Sequence, residues 1–134
     1  MPEHAGGTLR VVCLLAGALA STAWGNDGQV GFNDRIVPIL SAHCVACHLT
    51  GLEPGELALH PRVAHGNLVG VASRQSELPR VQPGDPEGSY LYLKLTNRHL
   101  EVGGEGEPMP MGGRLPAGQV ELFARWIEQG AGLQ

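Results

Sequence analysis

The chain is short of charge, of aromatic residues and of cysteine. Lys and Arg number 9 against 13 Asp and Glu, a net charge of -4. The cationic field that a phosphate backbone requires is absent, so nucleic acid is not an expected partner. Aromatic residues make up 4% of the sequence and cysteines number 3, which leaves a small apolar core and no dense disulfide framework to compensate for it. No apolar run reaches the ~20 residues of a membrane helix. No internal repeat, charge block or low-complexity linker divides the chain, and its 134 residues leave room for one core. What it has in abundance is Gly, 20, and Pro, 10. That composition excludes a long coiled coil and describes short elements joined by loops.

Residues 1–25 read as a secretory signal peptide rather than as part of the fold. Arg10 precedes the apolar run from Val11 to Ala20, and Ala23-Trp24-Gly25 offers small residues before Asn26. Cleavage after Ala20 or Ala23 fits as well, and an uncleaved anchor or buried helix is the competing reading. Cys13 sits at the start of the run, three residues after Arg10, so lipid attachment there is not expected. Removing the segment takes away one acid, Glu3, and one base, Arg10, so the remaining domain, 26–134, keeps a charge of -4. The expected location is the periplasm or another exported compartment. The cysteines that remain are Cys44 and Cys47. A disulfide closing so short a loop would add almost no long-range constraint, so something else must organise the core.

Cys44-Val45-Ala46-Cys47-His48 has the C-x-x-C-H spacing of covalent haem attachment. Two thiols two residues apart can each form a thioether to a porphyrin vinyl group, and the histidine that follows is then held over the iron as its proximal ligand. Three other readings compete. A thioredoxin-like dithiol belongs after a strand, at the start of a helix, whereas residues 30–43 are patterned as a helix. A structural zinc site needs four ligands, commonly from paired clusters, and there is no second C-x-x-C; His43, His60, His65 and His99 have no recognisable ligand spacing. The third is a chance occurrence of the motif.

Met109-Pro110-Met111 lies 61 residues beyond His48 in a Gly- and Pro-rich stretch. A thioether sulfur is what a low-spin c-type centre places opposite the histidine. Met109 is the candidate sixth ligand, with Met111 as the alternative; gap-filling in an apolar core is the structural explanation for either. The expected metal ligands are therefore His48 and Met109, on one covalently attached haem c.

Phe32, Ile36, Val37, Ile39 and Leu40 form a helical stripe leading into Cys44, with Asn33 or Asp34 available to cap it. Pro38 must fall in the first turn, so the regular helix begins near Val37. Residues 49–60 read as loop, and a short helix is expected over 61–69. Asp85-Pro86-Glu87 predicts a helix start, with the helix running to about Asn97; Leu91, Tyr92 and Leu95 share a sector, and Tyr90 or Tyr92 could reach a haem edge. Residues 98–114 read as one long loop. The final helix has Leu115 stapled onto Val120, an apolar face of Val120, Phe123, Ala124 and Ile127 widened by Trp126 toward the N-terminal helix, and Gly130 as its stop. His43, His60, His65 and His99 read as solvated. Arg80, Lys94 and Arg98 read as surface cations, with pairing to haem propionates as the alternative.

With these residues in hand, the chain resembles small class I c-type cytochromes. Ile36-Val37-Pro38-Ile39-Leu40 before the cysteines, Pro83-Gly84-Asp85-Pro86 with Ser89 and Leu91, Met109-Pro110, and the terminal Trp126-Ile127-Glu128-Gln129-Gly130-Ala131 make it most similar to planctomycete-type cytochrome c domains. Those domains carry a second proline after Met-Pro, where this chain has Met111. The resemblance implies an all-α fold, with helices and long loops wrapped around one haem and the first and last helices crossing. It implies an electron carrier rather than an enzyme, with no small-molecule substrate and a redox protein or membrane complex as transient partner. The rival from another class is a ligand-binding sensor or peroxidase-like protein with an exchangeable sixth ligand.

Overall fold

The computed structural model describes Met1 and residues 28–134; the expected signal segment lies outside the described residues. These residues hold four α-helices and no strand, only isolated bridges such as Val69 with Val81. The fold is all-α. Helix α1 is Val37–His43, α2 Ala64–Leu68, α3 Tyr90–Leu95 and α4 Ala117–Glu128. No helix among the described residues is long and apolar enough to cross a membrane.

Helix α1 begins where Pro38 dictates, with the proline in its first turn, and a wider π-helical turn, Phe32–Ile36, precedes it. Neither Asn33 nor Asp34 caps this segment. Gly31 occupies the cap position, and Asn33 Nδ2 instead reaches the carbonyl of Leu133 at 3.5 Å. Long-range pairing has displaced the local cap. Phe32 N–H donates to Gln134 O at 3.1 Å, and a Cβ on Gly31 would lie 2.8 Å from the Gln134 backbone. Val30 N–H and Gly28 O are held by the Gln129 side chain at 2.8 and 2.6 Å. The two ends of the described chain are thus stitched together.

Helix α4 packs as its pattern predicts. Phe123, Trp126 and Ile127 are buried, and the Trp126 and Phe32 rings lie 5.1 Å apart. Gly130, with φ of +96°, ends the helix: its N–H donates to Ile127 O, and Ala131 N–H donates to Trp126 O, both at 2.9 Å. This is the paired carbonyl closure of a Schellman motif. His65, expected in solvent, packs edge-on against Phe32 and is bonded through Nε2 to Ala131 O at 2.8 Å.

Helix α3 is shorter than the cap signal implies. The Asp85 carboxylate accepts the Gly88 N–H at 2.9 Å and so closes a turn instead of starting a helix. The Ser89 hydroxyl, fully buried, donates to Asp85 O and accepts from Gln82 N–H. The N–H groups of Tyr90 and Leu91 are taken by the carbonyls of Pro79 and Arg80, both at 2.9 Å. A neighbouring segment therefore fixes where α3 begins. It ends at Leu95 with Thr96 as C-cap, two residues short of the expected Asn97, whose φ of +59° turns the chain while Arg98 N–H closes back on Leu93 O at 2.8 Å. The loop expected over 98–114 contains a 3-10 turn, His99–Val102.

Candidate functional site

The C-x-x-C-H pentapeptide begins where α1 stops. Cys44 is the C-cap residue, and its N–H and that of Val45 both bond to the carbonyl of buried Leu40, at 2.8 and 3.0 Å. Cys47 and His48 N–H groups return to Cys44 O at 3.1 and 3.0 Å. The segment is wound into successive tight turns, with Cys44 half-buried and Cys47 exposed, and the two thiols form no disulfide. Burial, with Cys47 adding to the effect, pushes the Cys44 thiol up to about 11. A redox dithiol requires the opposite: a helix N-terminus and a lowered thiol pKa.

His48 is fixed by its carbonyl, which accepts Leu59 N–H at 2.8 Å. Burial lowers the pKa of its imidazole, with the Glu53 carboxylate opposing. Its Nδ1 is buried and has no hydrogen-bond partner, an arrangement native folds rarely leave unexplained. The turn after it is clasped by Glu53, which accepts from Thr50 N–H, the Thr50 hydroxyl and Gly51 N–H at 2.8–3.1 Å. Bonds from its own backbone amide and from these groups hold the Glu53 carboxyl down to about 2.

Met109 lines the same clefts as His48. Its N–H donates to Lys94 O at 3.1 Å, one of the carbonyls freed where α3 terminates, and the following Met109–Pro110 peptide is cis. Two adjoining clefts, of about 490 and 500 Å3 of empty space including their open mouths, share His48, Leu57, Leu91 and Met109 as common walls. The outer cleft is lined by Cys44, Cys47, His48 and Met109 together with Leu59 and Leu95, so the four expected site residues meet on one apolar surface. Met109 is half-buried and borders both clefts, whereas Met111 is 68% exposed and borders the outer one alone. Tyr90 lines the inner cleft; Tyr92 lies instead toward α4.

The inner cleft corrects two expectations. Arg80 and Lys94 are not surface cations but are 8% and 5% exposed, and both line it. Arg80 donates to the carbonyls of Asn67, Gly55 and Glu56 at 2.8–2.9 Å. Lys94 donates to those of Glu105 and Glu107. Neither forms an ion pair among the described residues. Desolvation lowers the pKa of both. Arg98 does lie on the surface, paired with Glu87 and Glu101. His99 is fully buried rather than solvated, and its Nε2 bonds to Gly106 O at 2.8 Å. A lone charged or imidazole side chain carries no burial signal in sequence here, because the carbonyls that satisfy it come from other segments of the chain. His43 and His60 are exposed as expected.

Comparison with protein-family models, with curated proteins and with solved structures returns no match for this chain. The donors lining the outer cleft are the imidazoles of His43 and His48, the thioethers of Met109 and Met111 and the thiols of Cys44 and Cys47, and of the imidazoles and thioethers only His48 and Met109 line both clefts. Among the described residues no group of three or more His, Cys, Asp or Glu side chains converges as a metal site would require. His48 and Met109 could serve a metal as two protein ligands, its remaining ligands arriving with an organic cofactor.

Proposed function

We propose that this protein is an exported mono-haem c-type cytochrome that carries single electrons between redox partners. The observation that carries this reading is the meeting of Cys44, Cys47, His48 and Met109 on one apolar cleft, although Met109 lies 61 residues beyond His48 in the chain. Cys44 and Cys47 would hold the thioether attachments, and His48 and Met109 the axial positions. The fit rests on the His48 imidazole with an unpartnered buried nitrogen, on two free thiols at a helix end, and on apolar walls of Leu57, Leu59, Leu91 and Leu95. The resemblance to class I cytochromes supports the same fold and ligand set.

When bound, haem supplies reversible one-electron exchange at its iron. His48 and Met109 would hold the iron from the chain's side and leave it no open position for a substrate, as a carrier rather than an enzyme requires. The Met109 thioether and the apolar walls favour the less charged ferrous state and so raise the potential. Arg80 places positive charge in the inner cleft, matched to the carboxylates that a porphyrin carries. The exposed rim at Cys47 and Met111 is where a redox protein or membrane complex would dock, briefly and over a small area. The acidic surface favours a partner with basic residues there.

Separate Met109→Ala and Met111→Ala variants test the assignment. The first is expected to turn a low-spin spectrum high-spin and to bind carbon monoxide rapidly when ferrous; the second is expected to leave the spectrum unchanged. The reverse pattern would move the ligand to Met111. Rapid carbon monoxide binding by the unaltered protein would make it a ligand-binding sensor or peroxidase-like protein instead.

A further inference from the structure

The segment that delivers Met109 is gripped from one side by three polar side chains whose task is not explained by core packing. Tyr90, at the start of α3, places its hydroxyl so that it donates to Glu105 O and accepts from Glu105 N–H, both at 3.0 Å. Lys94, one turn further on, donates to Glu105 O and, at 2.9 Å, to Glu107 O. His99, fully buried, reaches Gly106 O through Nε2 at 2.8 Å. Three consecutive residues, 105, 106 and 107, are therefore suspended by their backbone groups, and two positions later Met109 N–H is held by the carbonyl of that same Lys94.

The glycines of this stretch are what let the grip close. A Cβ on Gly104 would lie 2.5 Å from Tyr90 Cε2 and 2.7 Å from its hydroxyl oxygen. Gly106 has a φ of +77°, in the left-handed region that glycine enters without penalty, and a Cβ there would lie 3.3 Å from Lys94 Nζ. Lys94 also sits 5.3 Å from the centre of the Tyr90 ring, so the members brace one another. Backbone carbonyls, not carboxylates, are the acceptors. The cluster therefore fixes the path of the main chain rather than neutralising charge.

We infer that Tyr90, Lys94 and His99 form a clamp on residues 105–107 that keeps the Met109 sulfur on the iron and sets how often that position opens to an outside ligand. This rests on Met109 being the sixth ligand. The three are positioning residues: none supplies the ligand, and all act through the backbone that carries it. A loosened clamp would leave the folded carrier intact while turning it toward a ligand-binding protein.

The test uses holoprotein and measures the limiting rate at which imidazole, at saturating concentration, displaces the sixth ligand of the ferric form. Tyr90→Phe removes one oxygen, leaves every charge in place and is expected to raise that rate roughly tenfold, as the loss of a buried hydrogen-bonding group would. Lys94→Met is expected to raise it at least as much, and Lys94→Arg to restore a slower rate. In a Met109→Ala background, where no sulfur need leave, Tyr90→Phe should change nothing. If Met109→Ala binds imidazole much faster than the unaltered protein while Tyr90→Phe and Lys94→Met do not, the clamp is refuted and the ligand assignment survives. If Met109→Ala behaves as the unaltered protein does, the ligand assignment itself fails. Should Lys94→Met yield no folded holoprotein, Tyr90→Phe decides alone, since its ring and packing are retained.

Discussion

Replacing Arg80 with methionine keeps most of the length of the side chain but removes its donors, and the structure sets the size of the effect. Three carbonyls, those of Gly55, Glu56 and Asn67, lose a charged partner at 2.8–2.9 Å. At about 1.5–3 kcal/mol for each charge-assisted bond, the gross loss is about 5–9 kcal/mol. Two effects oppose it. A methionine carries no charge to be desolvated, and the carbonyls of Gly55 and Glu56 belong to a loop with solvent access, where water replaces the lost donor. The expected net loss is about 2–4 kcal/mol. In a domain of this size that lowers Tm by roughly 10–25 °C. Urea and thermal unfolding of the holoprotein, followed by circular dichroism, measure it. Arg80→Lys should fall between the two, because one ammonium cannot serve carbonyls on both sides of the planar guanidinium. A loss below about 1 kcal/mol for Arg80→Met would refute the idea that this cation holds the 49–60 loop against α2.

Two further outcomes follow from local geometry. Glu53 has a folded-state pKa of about 2 against an ordinary 4.5, so its clasp on Thr50 and Gly51 stabilises the fold above the ordinary value and is lost as pH falls from there toward 2; Glu53→Gln should therefore lower the urea midpoint at pH 7, with the difference from the unaltered protein shrinking through that window, and a difference independent of pH would contradict the assignment. Gly130 sits at a φ of +96°, so Gly130→Ala should cost about 1–2 kcal/mol in the same unfolding experiment, and an unchanged midpoint would mean that the end of α4 is not held in the left-handed conformation.

The last helix was legible because everything that specifies it is local: the Val120, Phe123 and Ile127 spacing lies within the element, and the Leu115 lead-in and the Gly130 stop lie within two residues of its ends. The start of α1 was legible for the same reason, since Pro38 excludes all but the first turn. Helix α3 was not, because its first N–H groups are claimed by Pro79 and Arg80 carbonyls, and Asp85 closes a turn that its sequence neighbours alone do not distinguish from a cap. At the site, the thiols, His48 and Met109 stood out by residue type and spacing, and the structure brings them to one cleft. The burial of Arg80, Lys94 and His99 did not stand out. Each is satisfied by backbone carbonyls, and a carbonyl is offered by every residue, so the sequence carries no mark of the pairing. Only the folded chain shows that these three hold the loops on either side of the cleft.

Mass spectrometry of the intact protein, produced with a competent haem-attachment system and denatured before measurement, bears most directly on the central claim. The account predicts one tetrapyrrole covalently retained by the chain, and its loss from a variant in which Cys44 and Cys47 are both serine. A chain that carries no added mass after maturation would contradict it.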